Sequence, residues 1–128
     1  MAPVHATAVD AAHRRGGWSP DIDARLTTLE SPVRDVLAPW LEALADADRI
    51  TLVPDAHYPF HPSSGMVTDP AVVGAIVTLL ERETDADIAV AGASDETISF
   101  DRTAEYLGYT SLLERFDTPL IDLSAESR

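Results

Sequence analysis

The sequence predicts an α/β fold: a small, mainly parallel sheet flanked by helices in Rossmann-like layers. Three observations carry this. Between residues 50 and 123, short apolar runs alternate with helical periods in the order strand, helix, strand, helix, strand. Alternation of that kind places parallel strands in one sheet with helices on its faces. The helical runs carry their own start and stop signals, Thr68-Asp69-Pro70 before one and Gly108 after another. The chain has 128 residues, enough for one domain that buries roughly 68% of its unfolded surface. The expected organisation is therefore one domain over 1–128, with a helical N-terminal part (1–49) and the strand–helix core at 50–123.

Taken in order, Val4 to Val9 suits a short first strand, and Arg14 to Trp18 reads as a loop. Ser19-Pro20 is a helix start, with Ser19 as N-cap, Pro20 at the first helical position and Asp21 and Asp23 favouring the positive helix end. Ile22, Leu26 and Leu29 share one face of that helix. Ser31-Pro32 repeats the start signal, so a second helix is expected there, carrying Val33, Val36, Leu37, Trp40, Leu41 and Leu44. Pro39 should kink or divide it.

Ile50 to Val53 reads as a strand. Val72, Val73, Ile76, Val77 and Leu80 form the stripe of a helix over 71–83. Asp87 to Gly92 reads as a buried strand, and Phe100 to Leu107 as a helix that Gly108 ends in the left-handed conformation. Thr110 to Phe116 is a short helix and Pro119 to Leu123 a last strand. Ser124 to Arg128 is expected to fray.

The chain has 22 acidic residues, nine arginines, no lysine and a net charge of −13. Such charge repels itself at low salt. At about 1 M salt the Debye length is near 3 Å and most of the repulsion is screened. A protein that folds best in concentrated salt is expected, against the plainer reading of an acidic protein from a GC-rich genome. With no basic patch to neutralise phosphates, nucleic acid is not an expected partner. No cysteine is present, which excludes disulfides, thiolate zinc sites and iron–sulfur clusters held on cysteines of this chain. No apolar run reaches the roughly 18 residues of a membrane span, and the start lacks a secretory pattern, so the cytoplasm is expected.

The segment from Pro54 to Pro70 is the clearest pointer to function. A strand-to-helix connection normally takes about two to six residues. This one is far longer and holds His57, His61, Asp55, Asp69, Ser63, Ser64, Tyr58 and Phe60. Ligands of such folds bind beyond the carboxyl ends of the strands. The loop from Pro54, the Gly92-Ala93-Ser94-Asp95-Glu96 loop and the chain after Leu123 all meet that condition.

From Ile50 onward the sequence resembles the family called domain of unknown function 362. The matching words are Ile50-Thr51-Leu52-Val53-Pro54, Thr68-Asp69-Pro70, Val72-Val73, Ile88-Ala89-Val90-Ala91-Gly92, Leu107-Gly108-Tyr109 and Leu120-Ile121-Asp122. The acidic, lysine-free form looks like a haloarchaeal branch, and the length like a short version, a fragment or half of a split protein. Many members have Lys-Pro-Asn where this chain has Val53-Pro54-Asp55, and some carry a cysteine-rich ferredoxin-like segment that is not here. The resemblance implies no reaction. Asp55-Ala56-His57-Tyr58-Pro59 is also similar in placement to a loop in the amino-terminal domain of the lactate racemase family, an analogy of architecture only.

Asp55, His57 and His61 offer a carboxylate and two imidazoles, a set that can hold a divalent metal with open positions. Pro59 and Pro62 exclude an ordinary helix between them, so the loop must fold back to bring them together. The plain alternative is that these residues hold the loop in shape; acid–base work by histidine is a third. Ser63, Ser64 and Thr68 can offer hydroxyls and backbone donors to an anion, or simply make turns. Asp95, with Glu96, can assist from the neighbouring strand end or be solvated. Tyr58, Phe60, Tyr106 and Tyr109 read as packing residues.

The expected function is binding of a small ligand or cofactor at the 55–69 loop, in concert with a missing domain, a separate subunit or a second copy. The alternative is a metal-dependent enzyme using Asp55, His57 and His61.

Overall fold

The computed structural model describes residues 22–60, 66–93 and 98–126. The expected strand at Val4–Val9, the loop at Arg14–Trp18 and the Ser19-Pro20 start lie outside these residues. Three strands form one sheet, β1 (Arg49–Leu52), β2 (Asp87–Gly92) and β3 (Leu120–Asp122), in the order β1-β2-β3. Both pairings are parallel, with Leu52 beside Val90 and Val90 beside Leu120. All three carboxyl ends therefore share one edge of the sheet.

Between the strands run α3 (Pro70–Glu83), α4 (Phe100–Leu107) and α5 (Tyr109–Arg115), preceded by α1 (Ile22–Leu37) and α2 (Leu41–Ala45). The row Leu52, Val90, Leu120 faces a core made with Val73 and Val77 of α3, Phe100, Ala104 and Leu107 of α4, and Tyr109 and Leu113 of α5. A second cluster joins Leu29 and Val33 of α1 to Ala71, Ala75 and Leu79 of α3. So α3 is buried on two sides, against the sheet and against α1. The stripe read from sequence covered only part of this. Val73, Val77 and Leu80 are buried as expected, while Val72 and Ile76 are only partly so.

Two expectations are corrected. Ser31-Pro32 does not begin a helix: α1 runs unbroken from Ile22 to Leu37 with Pro32 inside it. An internal proline removes an N–H and costs about 3 kcal/mol. Here Leu29 and Val33, on either side of it, are buried against α3, and that packing holds the helix together. Pro39 does divide the run, sitting in the 3-10 turn Ala38–Trp40 before α2. The second correction is at the other end. Leu123–Glu126 form a short helix, α6, where fraying was expected. Asp122 starts it by accepting a hydrogen bond from Ser124 N at 2.9 Å.

Two glycines are dictated by geometry. Gly108 has φ of 91° and turns the chain from α4 to α5, a conformation that strongly favours glycine. Gly92 ends β2, where a Cβ would stand 2.8 Å from the Phe100 ring.

Four arginines tie helices together. Arg25 meets Asp69, Arg34 meets Glu83, Arg82 meets Glu30 and Arg115 meets Asp23, so α1 is fastened to α3 along its length and to α5 near its start. The Arg82 guanidinium beside Glu30 holds that carboxyl below its usual range, and Glu30 in turn raises Arg82. Among the described residues no helix is long and apolar enough to cross a membrane.

Candidate functional site

The chain leaves β1 at Leu52, and Pro54 brings no N–H with which to extend the ladder. Asp55 and Thr68 then bond to each other. Asp55 N donates to Thr68 Oγ1 at 2.9 Å, and Thr68 N donates to Asp55 O at 2.7 Å. This pair of hydrogen bonds pins the two ends of the long loop together. Ala56 and Val67, just inside the pin, are both buried in the core. Pro59 is the centre of a tight turn in which Phe60 N donates to Tyr58 O at 2.8 Å, a geometry its fixed φ suits. Phe60 packs against the core, its ring 5.0 Å from Tyr58 and 5.9 Å from His57.

On the outside of the pin, Asp55 Oδ1 lies 2.5 Å from His57 Nδ1, with both side chains exposed. A carboxylate on Nδ1 fixes the ring's orientation and favours the tautomer that leaves Nε2 as the acceptor. Such a pair can take a proton, accept a ligand hydrogen bond or bind a cation through Nε2.

The pin is braced from two directions. Tyr109, buried at 1% exposure, donates from its hydroxyl to Thr68 O at 2.7 Å. Burial first, and then the Asp69 and Asp55 carboxylates, push its phenol far above the usual tyrosine range, so it stays a neutral donor. Asp69 caps α3, accepting from Ala71 N at 2.9 Å, and both its oxygens receive the Arg25 guanidinium. Thr68-Asp69-Pro70 is thus the helix start read from sequence, with Asp69 neutralised by an arginine from α1.

Of the residues singled out from sequence, the structure brings Asp55, His57 and Thr68 together. His61, Ser63, Ser64, Asp95 and Glu96 lie outside the described residues. Among the described residues no three His, Asp or Glu side chains converge as a metal-binding group. Sequence reasoning missed Arg25 altogether and read Tyr109 only as packing. Asp69 lies 44 residues from Arg25, and Thr68 lies 41 from Tyr109, so no local pattern marks either contact.

The same edge of the sheet carries exposed apolar side chains. Val53 after β1, Met66 in the long loop and Leu123 after β3 are 65%, 51% and 40% exposed.

An open three-stranded parallel sheet with flanking helices and a pinned loop at its carboxyl edge makes this a small protein of the α/β class. Residues 50–128, more than half of the chain, match the family described as domain of unknown function (DUF362), and the chain belongs to it. No curated protein and no solved structure matched.

Proposed function

We propose that the 55–69 loop binds a small ligand or cofactor, with Asp55 and His57 as its polar contacts and Val53 and Met66 beside them as apolar ones. The observation that carries this reading is the Asp55–His57 pair, held exposed at the carboxyl edge by the Thr68 pin. His61, Ser63, Ser64 and Asp95 belong to the proposal as further contacts. The exposed side chains of Val53 after β1, Met66 in the loop and Leu123 after β3 support a second element over this edge, a partner subunit, a missing domain or another copy of the chain. The acidic, lysine-free composition supports a cytoplasmic protein of haloarchaeal type, adapted to high salt and with no nucleic-acid role.

The metal-dependent alternative has one observation in its favour. An imidazole whose Nδ1 meets a carboxylate is the usual arrangement of a metal-binding histidine. In that reading His57 binds through Nε2 with His61, and Asp55 orients the ring.

A thermal-shift series with nucleotides, flavins, nicotinamide cofactors and divalent cations, on wild type and a His57→Ala/Asp55→Ala variant, tests both. A ligand whose stabilisation disappears in the folded variant supports the site. Stabilisation by cations alone, with stoichiometric metal in the purified protein, selects the enzyme reading. Equal responses from wild type and variant throughout overturn both.

A further inference from the structure

The outer side of β1 is an open strand edge. Asp48 O accepts from Asp87 N at 2.9 Å, so Asp48 and, by alternation, Ile50 and Leu52 turn their backbone groups toward β2. Arg49, Thr51 and Val53 turn theirs outward, where no described strand pairs with them. An edge of this kind is a template for another strand. An apolar wall stands above it. Successive residues of α3 are turned by about 100°. Val73 faces the sheet, and Gly74 faces Leu112 and Phe116 on the α5 side. Val72 and, one turn on, Ile76 therefore project on the opposite flank, over the outer side of β1. There, with Pro32, Val33 and Val36 of α1, they line a groove of about 170 Å³.

The course of α1 shows what belongs beside β1. Arg25, near its start, meets Asp69 at the start of α3, and Arg34 meets Glu83 at the end of α3. So α1 runs parallel to α3, from the carboxyl ends of the strands back to their amino ends, before the chain enters β1. That is the course of a crossover helix between two parallel strands. The later crossovers, through α3 and through α4 with α5, lie on the same side of the sheet and step from β1 to β2 to β3. Such crossovers are right-handed in about 98% of cases. A strand preceding α1 keeps that hand by lying outside β1; outside β3 it would reverse it.

We propose that residues 4–9 of this chain dock as a fourth strand, parallel to β1, on its outer side. Val4, Ala6 and Ala8 alternate with His5, Thr7 and Val9. In this sheet a residue that faces the helices donates toward the next strand, as Val90 does to Pro119 O at 2.9 Å. Val4, Ala6 and Ala8 therefore face Val72 and Ile76, and their N–H groups point at β1. The link is long enough. At about 10 Å per layer α1 stands about 20 Å from the sheet, and the twelve residues from Asp10 to Asp21 extend to about 40 Å.

Two features select this occupant over a second copy. Attachment through the link gives the segment an effective concentration of about millimolar. Residues 1–21 hold two aspartates and two arginines and so no net side-chain charge, whereas a second copy brings a further −13.

The test is amide exchange and NOE spectroscopy on the full chain in molar KCl. The Thr51 amide should exchange at least about 100-fold more slowly than an unpaired one. NOEs should join residues 4–9 to 49–53 in one parallel register, and light scattering should give a monomer. Ala6→Pro removes an N–H aimed at β1 and should return Thr51 to fast exchange. Thr7→Pro, whose N–H points to solvent, should leave it slow. Fast exchange at Thr51 in wild type overturns the proposal, as does protection that Ala6→Pro leaves unchanged or that both prolines abolish equally. Protection that fades on dilution also overturns it and assigns the edge to a second copy. The wild-type readings stand by themselves, so a variant that fails to fold leaves the test intact.

Discussion

Replacing Asp69 by alanine removes a helix cap and an ion pair together, and the sizes of these two losses can be separated. The first is the α3 cap, Ala71 N to Asp69 Oδ1, whose loss costs about 1 kcal/mol. The second is the pair with Arg25. That arginine is 11% exposed, and its Nε has no partner among the described residues. Alanine at 69 leaves the guanidinium charged and enclosed, and breaking such a pair from one side costs about 3 kcal/mol. Asp69→Ala should therefore lose about 4 kcal/mol in total. Asp69→Asn keeps an equivalent cap and an acceptor for Arg25, and should lose about 2 kcal/mol. Removing both charges, as Arg25→Met with Asp69→Asn, should return stability to within about 1 kcal/mol of wild type. Equilibrium urea unfolding at constant molar KCl reads these values. With a slope near 2 kcal/mol per M, the Asp69→Ala midpoint should fall by about 2 M. A fall of about 0.5 M or less, the cap alone at the same slope, would refute the claim that Arg25 depends on this carboxylate.

Tyr109→Phe removes the donor to Thr68 O and should cost about 1 kcal/mol, with faster amide exchange at Asp55 and Thr68; unchanged exchange would show that the pin holds without it. The raised phenol also sets an alkaline limit. Unfolded Tyr109 ionises near its ordinary value of 10.0 while the folded residue does not, so its contribution is complete below pH 10.0 and declines above it. A wild-type melt that stays flat from pH 9 to about 11, or a Tyr109→Phe melt that falls just as steeply, counts against this. Gly92→Ala places a methyl against the Phe100 ring and should destabilise by about 1–3 kcal/mol, measured by thermal melt. The melting temperature of wild type should rise between low and molar KCl as the −13 charge is screened; a flat or falling curve removes the salt-adaptation reading.

What was legible in the sequence was what short-range chemistry decides. Asp87–Gly92 and Phe100–Leu107 stand where apolar runs and the glycine after Leu107 put them. The Asp69 cap and Pro70 were visible as a unit because they act within one turn. Ser31-Pro32 misled because the same two residues open a helix when nothing lies beneath them, and here α3 does. Ala71 and Ala75 were missed as core because alanine gives little hydrophobic signal, yet their small side chains let α1 approach. At the site, Asp55, His57 and Thr68 could each be named as candidates. The bonds joining Asp55 to Thr68 close a gap of thirteen residues, and nothing in the intervening sequence encodes them.

The family match begins at residue 50, whereas α1 lies entirely before it. A recombinant fragment trimmed to the matched region would strip the cover from Ala71, Ala75 and Leu79 and strand Asp69 without its guanidinium. The boundary drawn by homology is not the boundary at which this polypeptide can be cut.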